Sequence, residues 1–404
     1  MAGLPGGPTA GGPSALPRGI WALGFVSLLM DISSEMIHSL LPVFMVTVLG
    51  TSIWAVGLIE GAAEATALIV KVFSGVLSDY WGRRKPLAVL GYGLGAASKP
   101  LFAIASTTGM VLAARLIDRV GKGIRGAPRD ALVADLAPPG MRGVAFGLRQ
   151  SLDTVGAFIG PLLAMGLMVL WANDFRAIFW VAMVPGFMAV ALLLFGVQEP
   201  APAYLAASRP ARVNPISKAN LGRLEAPYWR VVAIGAVFTL ARFSEAFLVL
   251  RALEGGLPVA YTPLVLIGMN VVYAVGAYPF GKLSDTVSHR ALLAWGLVAL
   301  IAADGLLAYN SGSAWVWGGI ALWGLHMAMT QGLLATMVAE VAPADLRGTA
   351  FGFFNLMSGL ALLLASTVAG VLWHQLGAPA TFLAGGLFGL GALALLWLWR
   401  TRTP

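Results

Sequence analysis

The stretch GVLSDYWGRRK, residues Gly75–Lys85, decides the fold, because a partial copy of it, GKLSDTVSHR, stands at Gly281–Arg290. The two strings begin 206 positions apart. A second, unrelated pair repeats at almost the same offset, since ADLAPPGMRGVAFG at Ala134–Gly147 returns as AEVAPADLRGTAFG at Ala339–Gly352. Two independent repeats at one offset predict that the chain is a duplicated unit.

The composition places this duplicated unit in a membrane. Of the 404 residues, 58% are hydrophobic and only 11% are charged, whereas soluble domains carry about 25% charged residues. A helix needs about 20 apolar residues to cross the hydrocarbon layer, and we count twelve runs of that size between residues 20 and 399. The sequence therefore predicts an all-α membrane protein of twelve transmembrane helices, arranged as two pseudo-symmetric six-helix bundles.

The remaining segments predict the domain organisation and the orientation. Residues 1–19 are rich in Gly, Pro and Ala and lack the features of a signal peptide, so we expect a disordered tail. Residues 198–228 are the one long polar connection and predict a linker between an N-terminal bundle, 20–197, and a C-terminal bundle, 229–404. Lys and Arg concentrate in alternate connections, on the side of both termini. The positive-inside rule makes that side cytoplasmic, and we expect a bacterial inner-membrane protein.

Charge and missing motifs exclude several function classes. The net charge of +8 follows from the same loop bias and needs no nucleic-acid partner. The absence of Cys excludes disulfides, thiolate metal sites and Cys nucleophiles. No HExxH, GxSxG or GxxxxGK(S/T) motif occurs, so neither an enzyme, a nucleotide-driven pump nor a cofactor is expected. The expected partners are a small-molecule substrate, protons and the lipid bilayer, with the protein acting as a monomer.

The repeated loop resembles the signature of the major facilitator superfamily, Gly-x-Leu-(Ala/Ser)-Asp-x-x-Gly-x-basic-basic. The resemblance implies a secondary transporter that works by alternating access. A carboxylate at the end of a helix can accept hydrogen bonds from a neighbouring helix N-terminus or from Arg and Lys, which makes the loop a latch between conformations. The expected gating residues of the two loop copies are Gly75, Asp79, Arg83 and Arg84 in the first and Gly281, Asp285 and Arg290 in the second.

Two further motifs narrow the resemblance. GAFIGP resembles the Gly-x-x-x-Gly-Pro signature of the superfamily's exporters and adds Gly156, Gly160 and Pro161 to the expected gating residues. Arg119 and Lys122 match the family's Arg-x-x-Gln-Gly motif only in part, because Lys replaces Gln. A Gly-x-x-x-Gly spacing also promotes close helix contact in general, so helix packing is the alternative interpretation of this motif.

Ionisable residues inside the predicted spans are the functional candidates. Each costs roughly 2.5–3.5 kcal/mol at the bilayer centre, so we expect them to face one another or a wet cavity between the bundles. Asp31, Glu35 and His38 share one helical face at i, i+4 and i+7. Burial and a movable neighbouring cation act on a carboxylate in opposite senses, which can switch its proton affinity. The expected proton-coupling residues are Asp31, Glu35, Glu64, Asp118, Arg119 and Asp153.

The second bundle lacks most of these charges. The repeat offset maps Arg119 onto Gly324 and Asp153 onto Ser358, so we expect the second bundle to contribute mainly to substrate binding. The expected substrate-binding residues are His38, Lys122, Arg242, Glu245, Asn270, His326, Gln331 and Asn355. The sequence thus favours proton-coupled export of small organic compounds.

Other interpretations stay open. A proton-coupled importer of an organic anion or nutrient could use the basic row of Arg119 and Lys122. A carrier of transition metals or metal chelates would use Asp31, Glu35 and His38, but the chain has only four His and no Cys. Pairs such as Arg149 with Asp153 could also be permanent ion pairs that only fix helix packing.

Overall fold

The computed structural model describes residues 16–81, 83–138, 141–199, 222–284, 286–309, 312–330, 332–343 and 346–400. These residues form α-helices and one short 3-10 turn, Val259–Tyr261, and no strand occurs among them. The helices are α1 (Arg18–His38), α2 (Leu41–Thr47), α3 (Ile53–Trp81), α4 (Lys85–Ile104), α5 (Thr108–Leu136), α6 (Arg142–Leu170), α7 (Phe175–Gly196), α8 (Ala226–Ala241), α9 (Ala246–Glu254), α10 (Leu264–Ser284), α11 (His289–Ala308), α12 (Ser313–Thr330), α13 (Leu333–Val341), α14 (Arg347–Leu376) and α15 (Ala378–Arg400).

The helices confirm the predicted all-α membrane fold. Ten segments of the described chain are long and apolar enough to cross a membrane. Two of the predicted spans are not among these ten segments. One is α5, which carries too many charged residues along its polar stripe, and the other is divided between α12 and α13. The order of helices is consistent with twelve passes. Most of the predicted tail and linker lies outside the described residues.

Three predicted spans are each broken into two helices. The first breaks before α2, which has a proline in its first turn, where the missing N–H costs nothing. The break before α13 falls at Gly332, whose φ of +86° is readily adopted only by glycine. The third break, at residues 242–245 between α8 and α9, contains neither Gly nor Pro.

Buried apolar residues show how the two bundles meet. We call the face holding the helix ends near residues 18 and 400 the terminal face. At the opposite face one apolar core joins both bundles and includes Phe44 and Phe179 from the first with Phe247 and Phe382 from the second. Towards the terminal face each bundle has its own separate core. The bundles are therefore sealed together at the opposite face and packed independently at the terminal face.

Glycines line the seam between the bundles, where α3 packs on α14. A Cβ added at Gly57 would lie 2.3 Å from the carbonyl oxygen of Ser366, and one at Gly61 would lie 3.0 Å from the Cα of Leu363. Small residues allow such close backbone contact between membrane helices. The seam is a suitable axis about which the bundles could rock.

Replacing Gly57 with Ala tests this seam. The added methyl group meets a backbone carbonyl that cannot rotate away, and overpacking of this kind costs about 1–3 kcal/mol. We expect a lower midpoint of thermal unfolding for G57A in detergent. The matched control is Gly166→Ala on α6, where nothing lies within 4 Å of an added Cβ. Equal stability of the two variants would contradict the close contact.

Candidate functional site

A buried charge cluster occupies the inside of the first bundle, where α1, α3, α4 and α5 meet. Steps of three and four residues along α5 place its ionisable side chains on one face, and α3 and α4 pack closely against that helix. The members of the buried charge cluster are Glu35, His38, Glu60, Glu64, Lys99, Arg115, Asp118 and Arg119.

The most deeply buried ion pair joins α4 to α5. The Nζ of Lys99 lies 2.8 Å from Oδ1 of Asp118, and both side chains are almost completely buried. The same ammonium donates a hydrogen bond to Oγ of Ser34, at 3.1 Å. Because a charge without a partner is very costly at this depth, the pair fixes α4 and α5 against α1.

A second pair joins α5 to α3. The Nη2 of Arg115 donates a 2.6 Å hydrogen bond to Oε2 of Glu60 and lies 3.9 Å from Oε1 of Glu64. Another nitrogen of Arg115 contacts the ring of His38. The guanidinium group thus touches two carboxylates on one helix and an imidazole on another.

Arg119 lies at the centre of the cluster and contacts three titratable groups without satisfying all of its own donors among the described residues. Its side chain contacts Glu64 at 3.2 Å, Nε2 of His38 at 2.8 Å and Asp118 at 3.7 Å. Two of its nitrogens, Nε and Nη1, nevertheless lack a well-oriented hydrogen bond within the described chain. The guanidinium group is therefore shared among several acceptors without being fully paired to any of them.

The edge of the cluster faces the space between the bundles. Lys122 is exposed and Asp31 half-buried, and neither makes a hydrogen bond or ion pair within the described residues. Across the interface, Glu245 interacts electrostatically with Glu35, Glu64 and Lys122. The structure thus brings together charges of both bundles.

A separate group of charges lies nearer the terminal face, on α5 and α6. Arg149 binds Asp153 at 2.5 Å, one helical turn away. Arg129 pairs with Asp130 at 3.1 Å and approaches Asp153 at 4.0 Å. Asp153 therefore has two cationic neighbours, and its Oδ1 still lacks a hydrogen bond in the described chain.

The second bundle contributes fewer polar groups. Arg242 and Glu245 flank the break between α8 and α9, with their charged atoms 3.7 Å apart. Asn270 and Asn355 are half-buried and make no side-chain hydrogen bond within the described residues. Gln331 lies outside those residues.

His326 lies within the second bundle. Its side chain is fully buried, with Nδ1 2.8 Å from the carbonyl oxygen of Gly296 and the ring packed against Phe238. A neighbouring backbone carbonyl thus holds the imidazole in this conformation, and its role in substrate binding stays a prediction.

The glycines of GAFIGP press α6 against the acidic face of α1. A Cβ at Gly156 would lie 3.0 Å from the Cβ of Asp31, and one at Gly160 would lie 2.8 Å from the Cβ of Glu35. Pro161 follows inside the same helix. Any shift of α6 is therefore transmitted to both acids.

The repeated loop is tied to the chain around it. Arg84 binds Asp135 at 3.1 Å, and the carboxylate of Glu199 accepts the backbone N–H groups of Arg84 and Lys85. Glu199 thus caps the first turn of α4, where a negative charge is favourable.

The structure describes the surroundings of the other predicted gating residues less completely. Gly75 packs against Ala127 of α5, and Arg83 is exposed. In the second loop copy, Gly281 has open space where a Cβ would lie, and Arg290 lines a cavity of about 940 Å³. The side chain of Asp79 and the whole of Asp285 lie outside what the structure describes.

Three members of the cluster lie outside the predicted site: Glu60, Lys99 and Arg115. Sequence position alone gave Glu60 no special weight, although it lies one turn before Glu64 on the same stripe. Lys99 is the one charge in the interior of α4. Its isolation as a charged residue inside an apolar helix is the sequence signal that could have added Lys99 to the predicted site.

Comparison with known proteins agrees with this architecture. The model of the Major Facilitator Superfamily matches residues 23–268 and 256–404. An uncharacterised MFS-type transporter of Methanocaldococcus jannaschii is 33% identical, over 95% of each chain. The multidrug resistance protein MdtH of Aeromonas hydrophila is 26% identical, covering 85% of this chain and 84% of its own. A bacterial homologue of the human lysosomal transporter Spinster, in an inward-facing and occupied conformation, superposes with a TM-score of 0.76 at 18% identity, covering 97% and 98% of the two chains.

The fold and the charged interior define an integral membrane transport protein. The chain belongs to the Major Facilitator Superfamily. It is a transporter of small molecules and not an enzyme.

The pair of Lys99 and Asp118 gives a direct test of the cluster. We expect Lys99→Met to cost about 3–5 kcal/mol of stability, because it leaves Asp118 charged, buried and short of a partner. The double variant Lys99→Met, Asp118→Asn should recover most of that loss. Thermal unfolding in detergent measures both. The control is Lys71→Met, an exposed lysine of α3, and a double variant no more stable than K99M would contradict the pairing.

Proposed function

We propose that this protein is a proton-coupled secondary transporter that exports small organic compounds, with the terminal face towards the cytoplasm. The bundles rock about the α3–α14 seam and open the central space to each side in turn. The observation that carries the proposal is that the incompletely paired Arg119 is shared among three titratable neighbours, His38, Glu64 and Asp118.

Incomplete pairing favours a site that exchanges partners. A buried donor without an acceptor costs about 1–3 kcal/mol, and in the described chain such donors also remain on Arg115, Arg125, Arg149 and Arg251. Arg119 is set apart because two of its nitrogens lack an acceptor there and its neighbours are three titratable groups. Arg119 touches His38, Glu64 and Asp118, which can each hold or release a proton. When one of these acceptors takes up a proton, the guanidinium group of Arg119 moves towards another acceptor. The positions of α1 and α3 then change with it. Proton binding and helix position are coupled in this way.

The contact between α6 and α1 links this exchange to transport. Gly156 and Gly160 leave no space between α6 and the acids Asp31 and Glu35. A movement of these acids therefore moves a helix that also approaches α10 of the second bundle. The electrostatic interactions of Glu245 with the first bundle give substrate a charged site between the halves.

Export is the direction favoured by two observations. One is GAFIGP, and the other is the similarity to MdtH, whose name describes multidrug resistance. The driving force is sufficient, because one proton crossing 100 mV supplies about 2.3 kcal/mol. That energy supports a substrate gradient on the order of fiftyfold.

Lys122 favours a second candidate function, uptake of an organic anion. It is an exposed cation with no partner in the described chain, beside the buried Arg119. A carboxylate or phosphate of the substrate could accept hydrogen bonds from both Lys122 and Arg119. The two functions differ in the charge of the compound and in the direction of movement.

Replacing Glu64 with Gln tests the proposed coupling. We expect proton-driven movement of ethidium in proteoliposomes to fall at least tenfold, because Arg119 loses a titrating partner. Counterflow of ethidium without a proton gradient should persist, since the substrate space is unchanged. The matched control is Asp174→Asn, at the exposed N-cap of α7.

The contrary outcomes of this experiment are distinct. Gradient-driven transport at the wild-type level in E64Q would remove Glu64 from the coupling. If ethidium is not transported at all but an anionic dye is taken up, and Lys122→Met abolishes that uptake, the second candidate function replaces the first.

A further inference from the structure

Asp304 is a buried acid that the proposed mechanism does not use. It lies on α11 in the second bundle and is 1% exposed. Neither of its carboxyl oxygens has a hydrogen-bond partner in the described part of the chain. A Cβ at Gly385 of α15 would lie 2.8 Å from Oδ2 and 2.9 Å from the ring of Phe243. The carboxyl group is thus enclosed by a glycine backbone and an aromatic ring.

The charged groups on the helices around α11 are occupied elsewhere. Arg251 of α9 donates to the carbonyl oxygen of Leu307 and pairs with Glu254. On α12, His326 is held by Gly296, and on α13, Glu340 pairs with His289 at 3.0 Å.

The break between α8 and α9 holds the remaining charges, Arg242 and Glu245, which pair with each other. On α15 the one charged residue, Arg400, lies at the terminal end, far along the helix from Gly385. None of these charged groups pairs with the carboxyl group of Asp304 in the described chain.

An ionised carboxylate in these surroundings would be unpaired and dry. Such a charge costs far more than a neutral acid, so a group in this position neutralises instead. A metal cation would need several further oxygen ligands. The described residues contain no group of three or more acids and histidines arranged to hold one. A proton needs only the carboxyl group itself.

The surroundings of Asp304 include a part of the fold that can move. Phe243 lies in the break between α8 and α9 and contacts the rings of Phe247, Trp323 and Phe382 at 5.4–5.5 Å. This aromatic cluster belongs to the core that seals the opposite face. All four rings lie in the second bundle, and Phe247 reaches the first, where a Cβ added at Gly57 would lie 3.1 Å from its ring. Opening that face withdraws α3 from Phe247, which frees the break between α8 and α9 to shift and Phe243 to uncover the carboxyl group.

We propose that Asp304 is a proton-binding site of the second bundle, occupied in this conformation and emptied when the aromatic seal opens. The carboxylate takes its proton from water while it is exposed, and the neutral acid is then enclosed as the seal closes. The site goes beyond the proposed function, which assigns proton exchange to the first bundle, and it does not depend on that assignment.

Infrared spectroscopy of the purified protein tests this site without any substrate. We expect the C=O stretching band of a protonated carboxylic acid at neutral pH, shifted by isotope labelling of Asp side chains and absent from Asp304→Asn. The same band should persist in the control Asp174→Asn. Thermal stability should be nearly unchanged in D304N, because an amide replaces an already neutral acid of the same shape.

Three results would overturn the proposal. One is an unchanged band in D304N, and another is a loss of several degrees in its unfolding midpoint, which would indicate an ionised and paired carboxylate. The third is displacement of the band by adding Na⁺ or K⁺ at constant pH, which would assign the site to a metal cation. A transport failure of E64Q leaves all three readouts unaffected, so the two proposals fail independently.

Discussion

The constraint on which this structure depends is that a charge inside a membrane must be paired or reach water. Eight ionisable side chains meet in the first bundle, and their ion pairs join α3, α4 and α5 around α1. Such pairs contribute less to stability than apolar packing of the same volume could. In the proposed mechanism these pairs serve by exchanging partners, and Arg119 contacts three of the groups involved.

Polar groups are distributed unequally between the two bundles, although the sequence repeats predict that the bundles are copies of one unit. The first carries the polar network, whereas the second retains Arg242, Glu245 and the isolated Asp304 near the break in its first pass. That break and the seam of α3 with α14 are the places where the proposed mechanism locates the change in helix geometry. The apolar core at the opposite face closes one side of the central space, whereas no shared apolar core joins the bundles at the terminal side among the described residues.

Much of this could be predicted from the sequence. The composition and the apolar runs predict the all-α membrane fold, which is confirmed, and the paired repeats at Gly75 and Ala134 predict its duplicated architecture. Helical spacing placed Glu35, Asp118 and Arg119 towards one another. The partners themselves could not be predicted, since the pairing of Lys99 with Asp118 depends on how α4 lies against α5. The break at residues 242–245 carries no Gly or Pro, and tertiary packing alone decides whether His326 points inwards.

The central claim is that proton binding changes which face of the protein is open. The chain contains no Cys, so spin labels can be placed at Val144 of α6 and Tyr278 of α10, both exposed and on opposite bundles. The account predicts that acidification adds a population with a shorter distance between the labels, because any departure from the present state narrows the terminal face. It also predicts that Glu64→Gln reduces this response to acid. A distance distribution that is identical at acidic and alkaline pH in the wild-type protein would contradict it.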